Sequence, residues 1–276
     1  MRVRGARVVG AGLLAVAAAG CGGGGHPLVV SGQAPTTPYA GPLLVAAQRG
    51  DDVAARAGAA GRALECDGPP YSGGGPDRWS AGDGGSTPAK GLAAWFAMDQ
   101  PDVPRDGYRV ERAEAGRVLF SYDVGGRTKV AVVVAKDQPG RPGWGPETTA
   151  SCDPSEFPAS YTDRQPYEIW VDAAGRRQPL SRVNSSVGPA HCGWQAARFL
   201  EVGATLYAGD PSHVLPPGML SRSYAARVAL PPDARDTGFH RGDQHLWLAA
   251  DGSFAYIGTA GAVEAWPSVT PGHGCA

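Results

Sequence analysis

Residues 108–136 restrict the fold more than any other stretch of the chain. Three strand-length runs follow one another there, Tyr108–Glu114, Arg117–Asp123 and Thr128–Lys136, joined by Ala115-Gly116 and Gly125-Gly126. Short connectors of that composition turn a strand back on its neighbour, so the three runs predict an antiparallel meander. In the third, Val130-Ala131-Val132-Val133-Val134 is apolar without alternation, which fits a central strand.

Elsewhere the periodicity is mixed. Thr87 is a good N-cap, Pro88 suits the first helical position, and Leu92, Trp95 and Phe96 share one face of a helix that stops before Pro101. Val53–Leu64 is Ala-rich and partly helical, weakened by Gly58 and Gly61. Pro42–Val45 reads as a short strand, and Cys66 opens a Gly/Pro loop to Gly85. In the second half, Glu168–Val171 predicts a strand, Asp172–Gly175 a turn, and residues 176–183 the return. Cys192–Val202 predicts a second helix with Trp194, Ala197, Phe199 and Leu200 as its apolar set, and Leu206-Tyr207 begins a further strand. Leu246–Ala249, Ala255–Gly258 and Ala262–Trp266 close the chain as a meander, with Asp251-Gly252 at the first turn. The expected class is therefore α+β, with antiparallel β-meanders each packed with a helix. Residues 41–160 and 161–276 would form two similar sub-domains or share one extended sheet.

The N-terminus carries an address. Arg2, Arg4 and Arg7 precede an apolar run from Val8 to Gly20, and Cys21 follows the small residues Ala18-Ala19-Gly20. This matches the charged, hydrophobic and cleavage regions of an export signal. The run is too short for an ordinary spanning helix, which needs about 20 residues. Residues 1–20 read as a lipoprotein signal peptide, Cys21 as the lipidation site, and residues 21–40 as a flexible Gly/Pro-rich tether. The alternative is ordinary cleavage after Ala17-Ala18-Ala19, and Ala18 stands where the lipoprotein pattern favours Leu. Loss of residues 1–20 takes the formal charge from −1 to −4, because three arginines leave and no acidic residue does. That mild acidity argues against a nucleic-acid partner. Although 41 glycines and 25 prolines make the chain rich in turns, 42% of it is hydrophobic, enough to build a core.

Cysteine parity supports the lipid reading. Assigning Cys21 to lipid leaves Cys66, Cys152, Cys192 and Cys275, an even set suited to disulfides in an oxidising compartment. Four cysteines allow three pairings; if each half folds as a unit, they are Cys66–Cys152 and Cys192–Cys275. No C-x2-C spacing occurs, so a structural metal site is not expected.

Candidate chemistry is sparse. His240, Asp243 and His245 have the atoms for a metal or a general base, but a single extended strand would point His240 away from the other two. Glu147, Asp153 and Glu156 cluster around Cys152 and could pair as the acid and base of a glycosidase, although Asp153-Pro154-Ser155-Glu156 reads better as a capped turn. The chain has no G-x-S-x-G elbow, no S-x-x-K set and no Walker sequence. Residues 82–87 look like a phosphate loop but lack its lysine, and Cys192 beside His191 reads as a disulfide cysteine. Among seven tryptophans, Trp95, Trp170, Trp194 and Trp247 fall in periodic elements and predict core. Trp79 and Trp144 sit in Gly/Pro loops, where exposed rings could stack on sugars or anchor a partner.

At residues 62–68 (Arg-Ala-Leu-Glu-Cys-Asp-Gly), 128–134, 191–194 (His-Cys-Gly-Trp) and 236–238 (Asp-Thr-Gly), the chain resembles a group of uncharacterised actinobacterial secreted lipoproteins. The resemblance implies a bacterial envelope address and assigns no catalytic residue. The expectation is a non-catalytic binding module, without cofactor or metal. It would be anchored through lipid on Cys21 at the outer face of the cytoplasmic membrane, with an envelope protein or glycan as partner. The competing expectation is a cell-wall-directed hydrolase using paired carboxylates.

Overall fold

The computed structural model describes residues 27–31, 37–46, 50–75 and 80–272. The signal segment, Cys21, Trp79 and Cys275 lie outside these residues. These residues are mostly β: among them are three antiparallel sheets and four helices of one to three turns. The fold is α+β in the broad sense only.

The predicted meander lies at the centre of the first sheet. Strands β1 (Ser72–Gly74), β2 (Arg109–Glu114), β3 (Arg117–Val124), β4 (Arg127–Gln138) and β5 (Arg141–Ser151) are ordered β1-β5-β4-β3-β2. The unbroken apolar run of β4 has a direct cause. Val130, Val132 and Val134 enter one core with Leu92, Trp95, Phe96 and Phe120. Ala131 and Val133 enter a second core on the opposite face, with Leu43, Leu119 and the alanines Ala57, Ala59, Ala60 and Ala63. A strand covered on both faces has no wet side, so it does not alternate. Helix α3 (Pro88–Met98), capped by Thr87, covers the first face. Helices α1 (Val53–Arg56) and α2 (Gly58–Ala63) cover the other, split at Ala57. Within the segment expected as a tether, residues 27–31 run beside Tyr108: Val30 N donates to the Tyr108 carbonyl, and Tyr108 N donates to that of Leu28. Leu28 and Val29 pack on the first core.

Beyond β5, the short helix α4 (Ala159–Thr162) leads into nine strands and no further α-helix. One sheet runs β6 (Tyr167–Glu168), β7 (Val183–Val187), β8 (Arg198–Val202), β9 (Thr205–Gly209). The other takes β10 (Ala225–Val228), β11 (Arg235–Arg241), β12 (Gln244–Leu248), β13 (Phe254–Thr259) and β14 (Ala262–Pro267) in the order β10-β14-β13-β12-β11. The two sheets meet along both edges. Just past β6, Val171 pairs with His240 of β11, each N–H donating to the other carbonyl at 2.9 Å. Just past β14, Ser268 bridges to Tyr207 of β9, and Val269 N donates to the Leu206 carbonyl. Eight strands thus close into a barrel-like ring, β6-β7-β8-β9-β14-β13-β12-β11, with β10 lying outside against β14. Closure removes the exposed strand edges that would otherwise template aggregation.

The ring interior is filled by Trp170, Val183, Leu200, Tyr207, Phe239, Leu246, Leu248, Ala255, Ile257 and Trp266. Gly209 lets Trp266 in, because a Cβ there would stand 2.5 Å from the indole. Outside the ring, Trp247, Tyr256, Val263 and Ala265 are covered by the β10 region, and Trp194, Ala197 and Ala208 by Leu215 and Met219.

Four expectations need correction. Helices do not pack on each meander, so the halves are unlike: the first is a sheet between helical layers, the second a closed ring. The predicted helix Cys192–Val202 is a 3-10 turn (Ala190–Cys192) followed by β8. Gly203-Ala204 makes a tight hairpin to β9, with Val202 opposite Thr205; Leu200 then faces the interior and Phe199 faces Trp194 outside. Residues 141–151, read as a loop, form β5, because its Pro and Gly hide a strand held by the long edge of β4. Pro42–Val45 is not a strand, yet it buries Leu43.

Cys66 and Cys152 form the disulfide expected of a self-contained first half, 86 residues apart in sequence. Cys192 is also disulfide-bonded. Constraining a loop of that length contributes about 4 kcal/mol in the chain-entropy account. The Cys66→Ser/Cys152→Ser variant should therefore lose about that much unfolding free energy in non-reducing urea titrations.

Candidate functional site

The ring interior is apolar at one end and charged at the other. At the charged end a cavity of about 320 Å³ is lined by Glu168, Trp170, Ser185, Arg198, Arg241, Gln244, Ile257, Glu264 and Trp266. These residues come from seven of the ring strands or their immediate extensions, at alternate positions that point inward. Glu168 organises one side. Its Oε1 takes Arg198 at 2.8 Å and pairs with Arg241; its Oε2 takes the Ser185 hydroxyl at 2.7 Å. Ser185 Oγ in turn accepts Trp170 Nε1–H at 2.9 Å. Arg241 also donates to Gln244 Oε1 and lies 5.9 Å from the Trp170 ring centroid.

Glu264 organises the facing side. Its Oε2 accepts Trp266 Nε1–H at 2.8 Å and the Tyr224 hydroxyl at 3.1 Å. Partial burial, then the neighbouring Glu264 charge and its hydrogen bond, push the Tyr224 phenol up to about 12. The mouth of a closed ring is a usual place for a small-ligand site, and here six of the nine lining residues are polar or charged, with Trp170, Trp266 and Ile257 supplying the apolar wall.

None of these residues was singled out as a site from sequence. A signal did exist: Glu168-Ile-Trp170 and Glu264-Ala-Trp266 each place a carboxylate two positions from a tryptophan, in segments expected to be strands. That spacing puts both side chains on one face.

The carboxylates that were singled out serve structure. Glu147 makes a two-point ion pair with Arg117, at 2.7 and 2.8 Å. Asp153 is buried; it caps the 3-10 turn Pro154–Glu156 and accepts the Leu180 N–H on both oxygens, tying the two halves together. Glu156 forms an ion pair with Lys129 at 2.5 Å, with side chains only 8% and 4% exposed, and also accepts Asp67 N–H. Glu156 also lies beside Cys66 and Cys152, whose sulfurs are tied up in the disulfide, so this trio offers no thiolate to a metal.

The histidine segment is a hairpin rather than one strand. Gly242, at φ +59, opens a two-residue turn with Arg241 opposite Gln244. His240 and His245 therefore face each other, ring centroids 5.6 Å apart, on the outside of the ring beside Trp247. This overturns the opposite-face expectation. Asp243 stays exposed at the turn, and His240 Nε2 contacts the Asp172 carbonyl at 3.1 Å. Trp144, expected in a loop, lies in β5 and packs partly buried on the first core. Trp95, Trp170, Trp194 and Trp247 are buried as expected.

A larger, more open groove of about 840 Å³ runs along residues 100–106 and 160–166. Its main titratable pair is Asp102, raised by burial, with the Tyr161 hydroxyl 3.2 Å away. It too is lined by two carboxylates and two arginines, Asp102, Asp106, Arg105 and Arg164, but among the described residues no ion pair links them to one another as Glu168 links Arg198 and Arg241. No helix among the described residues is long and apolar enough to cross a membrane. No protein-family model matches the chain, and no curated protein or solved structure is similar to it at a significant level.

Two measurements follow. Tyr224 should titrate near pH 12 in ultraviolet difference spectra, and Glu264→Gln should move it part of the way toward 10. Between those pH values the folded chain holds a proton that the unfolded chain has lost, so stability falls as pH rises through that window. Glu156→Ala should cost about 2–3 kcal/mol in chemical unfolding, because it takes the nearest counter-charge from the buried Lys129 and leaves it the Glu65 carbonyl and the longer contact to Asp67.

Proposed function

We propose that this protein is an extracytoplasmic module, held at the outer face of the cytoplasmic membrane by lipid on Cys21, that binds a small polar ligand without transforming it. The observation that carries the binding part is the charged mouth of the closed ring. Its side chains are already locked to one another by hydrogen bonds before any ligand arrives, and such preorganisation lowers the cost of binding.

The anchoring part rests on the sequence: basic tip, short apolar run, and a cysteine after small residues. A diacylglyceryl group supplies the two chains that stable anchoring requires. Val29 lies beside Tyr108, and only five residues, six chain steps, separate Cys21 from Pro27, the first described position. Even fully extended they reach about 20 Å, so a lipid on Cys21 would hold the first sheet close to the headgroups.

The hydrolase alternative loses ground on geometry. Glu147, Asp153 and Glu156 are engaged by Arg117, backbone N–H groups and Lys129. In the mouth, Glu168 and Glu264 each accept from fixed donors. A general acid must instead hold a proton to deliver to the leaving group.

Metabolic labelling with an alkyne fatty acid tests the anchor. The wild type should be labelled and membrane-bound, whereas Cys21→Ala should be unlabelled and released. Equal labelling of the two would refute the anchor.

A further inference from the structure

Resting on the reading of the ring mouth as a ligand site, the geometry points to its ligand class. We propose that the mouth selects a small zwitterion, an α-amino acid or short peptide. Its carboxylate would lie against Arg198 and Arg241, and its ammonium against Glu264.

The argument starts from strand order. In the ring β6-β7-β8-β9-β14-β13-β12-β11, strands β6 and β14 are four places apart in either direction, so Glu168 and Glu264 stand on opposite walls of the mouth. Arg198, from β8, and Arg241, from β11, both lean to the β6 wall and meet one oxygen of Glu168. Two guanidiniums against one carboxylate leave that wall with one positive charge. The β14 wall has one carboxylate, whose partners Tyr224 and Trp266 are neutral donors. The mouth as a whole is balanced, but its charges are separated across it.

The unused hydrogen-bonding capacity is divided in the same way. Among the described residues, Arg198 donates only to Glu168, so most of its guanidinium N–H groups are open there, and Gln244 accepts from Arg241 with its oxygen, keeping its amide donors. On the other wall, Trp266 and Tyr224 both donate to Glu264 Oε2, and Oε1 accepts no hydrogen bond among the described residues. Donors in a guanidinium fork suit a carboxylate, and a carboxylate with a free oxygen suits an ammonium. A simple anion would meet Glu264, a simple cation would meet the two arginines, and a neutral sugar would leave both poles uncompensated. At about 320 Å³ the cavity lies at the lower end of small-molecule pockets, which limits the ligand to one or two residues.

The test is isothermal titration of the full-length protein in detergent, using the free α-amino acids and glycylglycine as probes. N-acetylglycine (anion alone), glycinamide (cation alone), and glucose and N-acetylglucosamine (neutral) serve as comparisons. At least one zwitterion should bind saturably, and removing either of its charges, by acetylation or amidation, should weaken binding at least tenfold. Arg198→Met and Glu264→Gln should each weaken binding at least tenfold, while Arg62→Met, an exposed site in the first half, should leave it unchanged. A sugar that binds and is lost in Glu264→Gln, with no zwitterion bound, overturns this proposal but leaves the mouth as a ligand site. Equal affinity for the zwitterion and its acetylated or amidated form overturns the charge assignment even if a variant fails to fold. Binding of none of these probes overturns the proposal and the mouth reading together.

Discussion

The pairing of Val171 with His240 is the interaction on which the rest of the second half depends. Glu168 and Trp170 sit just before it on one strand, and Arg241 just after it on the other, some 70 residues along the chain. Two backbone hydrogen bonds at 2.9 Å bring those strands side by side and make a ring of what would otherwise be two open sheets. Only then does Arg241 reach Glu168. The second seam, Val269 to Leu206, completes the enclosure and sets Trp266 against Gly209. An open sheet would leave these charges on a wet face, where ion pairs contribute little.

A ring of this size must reconcile a core with a site. The apolar end, with Val183, Phe239, Leu248 and Ala255, supplies the burial that drives folding. The charged end gives up such burial, and partly desolvated ion pairs rarely recover it in full. What the network provides is a fixed arrangement, a chain of hydrogen bonds from Trp170 to Ser185 to Glu168 to two arginines. The first half makes the opposite choice. Its buried pair, Lys129 with Glu156, lies next to the Cys66–Cys152 bridge and is closed by the Glu65 carbonyl and Asp67 N–H, so it braces the fold and faces no cavity of comparable chemistry.

How much of this could be read from residues alone differs between the halves for a physical reason. Local signals carried the first meander, helix α3 with its Thr87 cap, and the closing meander β12–β14, because turns and periodicity are written within a few residues. They failed where a distant partner decides. β5 is a strand because β4 offers it an edge, despite its Pro and Gly. Residues 198–202 are a strand because the Gly203-Ala204 hairpin pairs them with β9, despite apolar spacing that suits a helix. The site was less legible still. Its members come from strands whose adjacency is set by ring closure, and no local pattern encodes closure. The repeated carboxylate-x-tryptophan spacing was visible, but not that the two copies would face each other.

The same closure supports the proposal of binding rather than chemistry at the mouth. A catalytic pair needs one group placed to give a proton and another to take it, with freedom to exchange roles as charge moves. Here both carboxylates are held by donors from the ring: indole N–H on Glu264, serine hydroxyl and guanidinium on Glu168. Every neighbour of these carboxylates stabilises the acceptor and none is placed to receive a proton from it. Walls fixed in this way discriminate between ligands by where charge lies, and they resist the rearrangement that a reaction would impose. In the role proposed above, holding a small charged molecule, that rigidity would be of use.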